Sequence, residues 1–457
     1  MLSFLAGWTL FAFGGAYSWT TVPLVAGSCG LAIVLRPPPF RRGTRALDLA
    51  IAACLIAATL QLVTWPASLR LGVSPALRSM DRALRLDAPR NPASGLAGPL
   101  TVDRASGLEW LVLATSIVLF FWCARYVFKY GSMREVIRVV SVCGGVAAGI
   151  ALLQHTATPH LLYGMWRPLS RNAEFPFSPF VNRNDLAAWM IMALPLSAGY
   201  LLARVDARRR EGRLSVETVF DGTGVWLVTA ICAMAAALVA TLSRSGLTAG
   251  GAAAVSIVVL SRDRVERRGR AWLVVGLLLL AFVGATYANL GALMTRVDET
   301  FESGVGGRRE IWQVTAAMIR DFWSAGVGVG SYQRAMSVYQ PVHQFAFNHA
   351  HNEYLQLAAE GGLLIGVPMA CAIVAGVWTT ARLMQRDRTP VFWIRVGAAS
   401  GLVASAVQSL WETGLRMPAN AVLFALCAAI ALHEPEKGTP DVSRRNHAGA
   451  PRATRNG

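Results

Sequence analysis

Twelve apolar runs divide this chain, and several are about 20 residues long, the length a helix needs to cross the hydrocarbon core of a bilayer. They are Leu2–Trp19, Val22–Leu35, Ala46–Trp65, Leu108–Phe128, Val136–Leu153, Asp185–Ala203, Gly224–Leu242, Leu247–Leu260, Ala271–Leu290, Gly362–Leu383, Phe392–Trp411 and Pro418–Leu432. The second and eighth are short and rich in Gly or Ala. Apolar residues make up 54% of the 457, and charged ones 15%. A soluble domain carries about 25% charged residues, so the composition excludes a disordered chain and argues against a water-soluble enzyme. The expected fold class is all-α, a polytopic membrane protein of about twelve transmembrane helices with a large outside loop containing short helices.

Charge placement supports this reading. With the N-terminus inside and alternating spans, the inside segments are 36–46, 125–138, 204–223, 261–270, 382–395 and 433–457. They hold 27 of the 43 Lys and Arg, so every inside loop is a short basic cluster, as the positive-inside rule requires. The net charge of +17 therefore needs no nucleic-acid partner; topology and anionic membrane lipids account for it. No basic segment precedes the first apolar run, so Leu2–Trp19 is expected to stay as a span and not to be cleaved. All seven Cys fall within spans and none forms a Cys-x-x-Cys pair, so they read as small packing residues.

The chemistry belongs in the outside loops near 66–107, 154–184 and 291–361. The first, rich in Pro, Arg, Asp and Gly, reads as a partly mobile surface loop. The second ends in Phe175-Pro-Phe-Ser-Pro-Phe-Val-Asn-Arg-Asn184, aromatics and Pro suited to a membrane interface. The third is about 70 residues long, which for a loop signals function. Within it, Ile311, Trp312, Thr315, Met318, Ile319 and Phe322 recur at spacings of three and four, predicting an amphipathic helix over Arg308–Phe322. It could lie on the membrane surface with Trp312 toward lipid or the protein body. Gly326-Val-Gly-Val-Gly330 lacks the spacing of a phosphate-cradling loop and reads as a flexible turn between helices. Five of the seven His lie in outside loops, and three of those are in the third loop, at His343, His349 and His351. His349-Ala-His351 invites a zinc reading, but a site needs further ligands, and nothing fixes Glu353 or Glu360 as such. The alternative is a polar segment leading into a helix capped by Asn352. Finally, Ser243-Arg244-Ser245-Gly246 is a hairpin of almost no length at the outer ends of two spans. An Arg at membrane depth either serves function or snorkels to the interface.

Taken in order over about 180–365, Phe180-Val-Asn-Arg-Asn184, Ser243-Arg244-Ser245-Gly246, Gly307-Arg308-Arg309-Glu310-Ile311-Trp312, Gly326-Val-Gly-Val-Gly330 and His349-Ala-His-Asn-Glu-Tyr-Leu-Gln-Leu-Ala-Ala-Glu-Gly361 resemble the O-antigen ligase and O-antigen polymerase family of bacterial membrane glycosyltransferases. The resemblance implies a metal- and cofactor-independent transferase in the bacterial inner membrane, with its active site facing the periplasm. It would move a glycan from an undecaprenyl-pyrophosphate carrier to an acceptor hydroxyl on lipid A–core or on a growing polysaccharide. The double Gly361-Gly362 followed by Gly366 departs from the spacing typical of ligases, so the acceptor class stays open. On this reading, residues 1–290 hold nine spans, 291–361 the catalytic loop, 362–432 three spans and 433–457 a basic cytoplasmic tail.

The chemistry is consistent with that. No Asp-x-Asp metal pair occurs in the chain. Arginine can take a metal's place on a leaving pyrophosphate, because its planar fork binds two phosphate oxygens and is always charged. Arg244 is the first candidate, with Arg308 or Arg309 as a second clamp. His351 is the expected general base and His349 the alternative. Asn184, Asn352 and Glu360 are supporting residues. A twelve-span transporter or flippase is the rival reading, but no pair of related halves is visible in the sequence. Reporter fusions at Gly304 and Gly438 are expected to read opposite sides of the membrane; the same side for both would refute the topology.

Overall fold

The computed structural model of the chain describes residues 1–84, 97–168, 176–212, 221–264, 305–340 and 347–434. The expected run Ala271–Leu290, the tail beyond Glu434, Phe175 and His343 lie outside the described residues. The described part is all-helical: α1 Leu2–Phe11, α2 Ser18–Leu35, α3 Arg45–Leu62, α4 Ala67–Val73, α5 Leu77–Ala83, α6 Arg104–Lys129, α7 Met133–Ala157, α8 Arg183–Arg210, α9 Gly222–Ala240, α10 Arg244–Leu260, α11 Val305–Asp321, α12 Tyr332–Tyr339, α13 Glu353–Arg386, α14 Val391–Gln408 and α15 Pro418–Ala431. Eight of these, α2, α3, α6, α7, α8, α9, α13 and α14, are long and apolar enough to cross a membrane. The apolar helices α1, α10 and α15 are shorter. Eleven of the twelve expected runs thus coincide with a helix.

The first run is not one span. Helix α1 stops at Phe11, and Phe13, Gly14 and Gly15 all take positive φ before α2 begins at Ser18. The turn is forced by close packing: a Cβ on Gly14 would fall 2.3 Å from the Phe180 ring.

Helix α8 is the axis of the bundle and the most buried of the long apolar helices. It meets α14 backbone to backbone. A Cβ on Gly397 would lie 2.3 Å from the Pro195 carbonyl oxygen, and one on Gly199 would lie 2.5 Å from the Trp393 carbonyl oxygen. Small residues are what allow such an approach where lipid supplies no hydrophobic drive. The described parts of the basic segments gather at one end of the bundle, where buried ion pairs hold them: Arg125 to Asp48 at 2.7 Å, and Arg395 to Asp387. Arg204 and Arg208 share Asp221 there.

At the opposite end the first and third loops fold on each other. Leu77, Met80, Leu100 and Val102 from one share a second apolar core with Ile311, Met318, Phe322 and Tyr332 from the other. The first loop is therefore not simply a mobile surface segment. α4 and α5 are ordered within it, tied by Arg70 to Asp81 at 2.5 Å. The expected amphipathic helix is α11, and Trp312 faces the protein, donating to the Ala350 carbonyl at 2.9 Å. The glycine turn is held, not flexible. Gln61 on α3 donates to the carbonyls of Ala325 at 2.6 Å and Glu360 at 2.9 Å and accepts from the Val329 amide. Gly326, Gly328 and Gly330 have φ of 70°, 101° and 78°, and a Cβ on Gly328 would meet Thr101 Oγ1 at 2.1 Å.

Helix α13, at 34 residues, is longer than a bilayer needs and breaks at Gly362 (φ 53°, ψ −154°), a conformation open only to glycine. Its outer piece ends the loop core; its inner piece is the span.

Replacing Gly397 by Ala is expected to destabilise the protein by about 1–3 kcal/mol, because the added methyl strikes backbone that cannot rotate away. Gly149 on α7 has open space around it, so Gly149→Ala is the control without a clash, expected to be neutral or slightly stabilising. Thermal melts in detergent check both; equal melting temperatures would refute the α8–α14 contact.

Candidate active site

The site lies at the end of the bundle away from the basic clusters, where α8, α10 and α13 begin and α14 ends. Three of those starts are set by side-chain caps. Asn182 accepts from the Asn184 amide, Ser243 from Gly246 and Asn352 from Leu355. Capping fixes where each helix begins and so which way its first residues point.

The centre is a carboxylate that sequence reasoning missed, Glu412, in the short turn after α14. Its side chain is 7% exposed. Oε1 accepts from Asn184 Nδ2 and from Arg308 Nη2, each at 2.9 Å, and Oε2 stands 3.6 Å from His351 Nδ1. One buried carboxylate thus brings together three expected site residues separated by up to 167 positions in the chain. Arg308 is the half-buried member of its pair; Arg309 faces outward and is exposed.

His351 is held in a left-handed conformation with φ 48°. A non-glycine residue there costs about 1–2 kcal/mol, and such strain collects at functional sites. Its neighbours impose it. Ala350 donates to Gln356 Oε1 and accepts from Trp312, while Asn352 Nδ2 donates to the Leu410 carbonyl at 3.0 Å. The imidazole remains 42% exposed, and its Nδ1 has no hydrogen bond at the present 3.6 Å separation from Glu412.

A second cluster lies beside the first. Arg416, from the 3-10 turn Gly414–Arg416, donates to Glu360 Oε2 at 2.8 Å, approaches Glu353 Oε1 at 3.3 Å and stacks over Trp110 at 5.0 Å. Burial disfavours its charge, but the two carboxylates more than offset this and its pKa is raised. Glu360 is occupied in holding Arg416. His349 turns away from His351, its Nδ1 3.4 Å from Gln356 Nε2. Its ring is accessible yet crowded by protein atoms, as in a cleft. That desolvation, then the Arg416 and His351 charges, lowers its pKa to about 4. His349 is therefore a weak base, neutral at pH 7.

Arg244 opens α10, half-buried, with no hydrogen bond or ion pair to the described residues. A Cβ on Gly246, two residues on, would lie 2.7 Å from Ala187 Cβ, which places this turn against the first turn of α8 and thus near Asn184. Among the described residues, no three His, Cys, Asp or Glu side chains come together in a metal-binding set.

Glu412 and Arg416 had a signal in the sequence. Glu412-Thr-Gly-Leu-Arg416 carries an acid and a base in a very short outer turn between two spans, the same oddity that marks Arg244.

Residues 229–370 match the family model described as O-antigen ligase. The match runs from within α9 through Arg244, Arg308, His349 and His351 into α13. No curated protein matches the chain.

The lowered pKa of His349 has a signed consequence. Between pH 6.5 and 4 the unfolded chain binds a proton there that the folded one does not, so acidification through that window disfavours folding. His349→Gln is expected to make melting temperature less acid-sensitive in that range; an unchanged acid sensitivity would refute the lowered pKa.

Proposed function

We propose that this member of the O-antigen ligase family transfers a glycan from an undecaprenyl-pyrophosphate carrier to an acceptor hydroxyl at the periplasmic face of the inner membrane. Glycan transfer of the O-antigen ligase type by a membrane enzyme is what the family match supports. The carrier, the side and the residue roles are our reading. The observation that carries it is the gathering of Asn184, Arg308 and His351 on Glu412, beside an arginine with no partner among the described residues, at the end opposite the basic loops. By the positive-inside rule the basic end faces the cytoplasm, so the site faces the periplasm.

The steps follow from the groups. The donor's sugar–phosphate bond breaks with negative charge developing on the pyrophosphate. Arg244, free to use both arms of its fork, binds those oxygens at the membrane edge. Arg308, half exposed while paired to Glu412, supplies a second positive charge facing the same space. His351 takes the acceptor hydroxyl proton on Nε2 as the oxygen attacks the anomeric carbon. Glu412 beside Nδ1 orients the ring and stabilises the imidazolium, as a carboxylate does in a catalytic triad. A small rotation shortens 3.6 Å to a hydrogen bond, and catalytic contacts commonly tighten when substrate binds. One base and direct displacement invert the anomeric centre without a covalent enzyme intermediate. The proton on His351 then passes to solvent through its exposed face. Arg416, Glu360, Glu353 and Asn352 hold the start of α13 so that His351 keeps its strained setting.

In transfer assays with purified protein and carrier-linked glycan, His351→Ala is expected to retain donor binding and lose about 10²–10⁴-fold in rate, the range of a general base. Glu412→Gln can keep the Oε1 contacts to Asn184 and Arg308 but removes the charge and the acceptor beside His351 Nδ1, and should lower the rate with donor KM little changed. Arg244→Ala should abolish transfer and Arg244→Lys recover only part, because Lys keeps charge without the fork. Full activity in His351→Ala would remove the base assignment, and near-normal transfer by Arg244→Ala would leave that arginine merely snorkelling.

A further inference from the structure

A further cavity in the described structure lies away from this site. It is a groove of about 680 Å³ at the basic end of the bundle, between the start of α3 and the inner part of α13. Its floor is apolar, with Leu47 from α3 and Val374 and Trp378 from α13, the last two 68% and 60% exposed. Small residues on α13, Ala370, Cys371 and Ala375, make the room. Its rim is cationic. Arg42, Arg45, Arg382 and Arg386 line it, all exposed. Arg382 stacks on Trp378 at 4.7 Å, and the other three make no hydrogen bond or ion pair with the described residues. The acidic lining residue is Glu434, whose carboxylate lies against Gly43.

We infer that this groove binds one anionic phospholipid of the leaflet around the basic end, its phosphate among the four arginines and an acyl chain along Leu47, Val374 and Trp378. The two chemistries are stacked in the order a lipid presents them. Exposed apolar helix surface lies at hydrocarbon depth, and fork-shaped cations lie where the headgroup phosphate sits. A zwitterionic lipid would bring a cation of its own into the same cluster. The chain's own tail is a poor occupant: residues 435–457 carry five Lys or Arg against two acids, the same sign as the rim. The groove is at the opposite end of the bundle from Glu412 and His351, so lipid binding there and glycan transfer stand or fall separately.

The test is native mass spectrometry of the purified full-length protein with equimolar dioleoyl phosphatidylglycerol and dioleoyl phosphatidylcholine. Phosphatidylglycerol should be retained several-fold over phosphatidylcholine, since each arginine near an anionic headgroup is worth about fivefold in affinity. Arg382→Ala/Arg386→Ala should remove that preference. Val374→Trp, at an exposed position, fills the groove without touching the arginines and should lower retention of both lipids at the site; it keeps the question answerable if the arginine variant fails to fold. Equal retention of the two lipids, or a preference unmoved by both variants, would overturn the inference. Inorganic phosphate stabilising the protein as much as the diacyl lipid would reduce the site to an anion site and overturn it too. Phosphatidylglycerol binding that emerges only on deletion of 435–457 would assign the groove to the tail.

Discussion

A carboxylate buried to 7% exposure stays charged only when cations and donors replace the water it has lost, and Glu412 recruits its replacements from across the chain. Asn184 comes from the first turn of α8, Arg308 from α11 and His351 from the segment before α13. Each of those elements is anchored elsewhere by apolar packing, α8 in the membrane bundle and α11 in the loop core. The carboxylate is where the two cores are stitched together by charge. Arg416 repeats the device in reverse, a buried cation held by Glu360 and Glu353 on one face of α13. Removing one member of such a pair leaves the other charged and dry, at a cost of about 3–5 kcal/mol. The candidate site is thus a structural joint, whatever chemistry it performs.

This arrangement also bears on the transporter reading. A transport pathway places its ionisable groups near the bilayer midplane, on helices broken at matching positions. Here the titratable groups gather at the helix ends, under a folded cap of α4, α5, α11 and α12. The buried ionic groups at the far end, Asp48 with Arg125 and Asp387 with Arg395, pair with each other.

The helices were legible because hydrocarbon imposes a simple rule, a long apolar run bounded by charge, and α6, α7, α9 and α15 begin within a few residues of the expected positions. Asn352 as a cap was legible from its place before an apolar helix. The break after Phe11 was not, since the contacts that crowd Gly14 and Gly15 come from Phe180 and Pro418, both distant in sequence. The first loop was misread because its apolar residues are sparse and find their partners on α11 and α12, more than 200 positions away. Arg308 and Arg309 were indistinguishable in sequence. Adjacent helical positions point about 100° apart, and which one faces Glu412 depends on how α11 docks. His351 and His349 are separated by the same kind of fact, one ring beside a carboxylate and the other beside an amide near Arg416.

The break in α13 at Gly362 has a geometric consequence. A continuous helix has one rotational phase, so the stripe Glu353, Gln356, Glu360, whose two carboxylates grip Arg416, would dictate which residues further along face lipid. The left-handed glycine resets that phase. The nine residues before it can be registered by the polar cluster, and the residues after it by α3 and by lipid, each without compromise. A side chain at 362 would close the gap, because its Cβ would lie 2.6–2.8 Å from backbone atoms of Ser324, Ala325 and Gly326. That position works like the splice in a drive shaft whose two ends must turn to different angles.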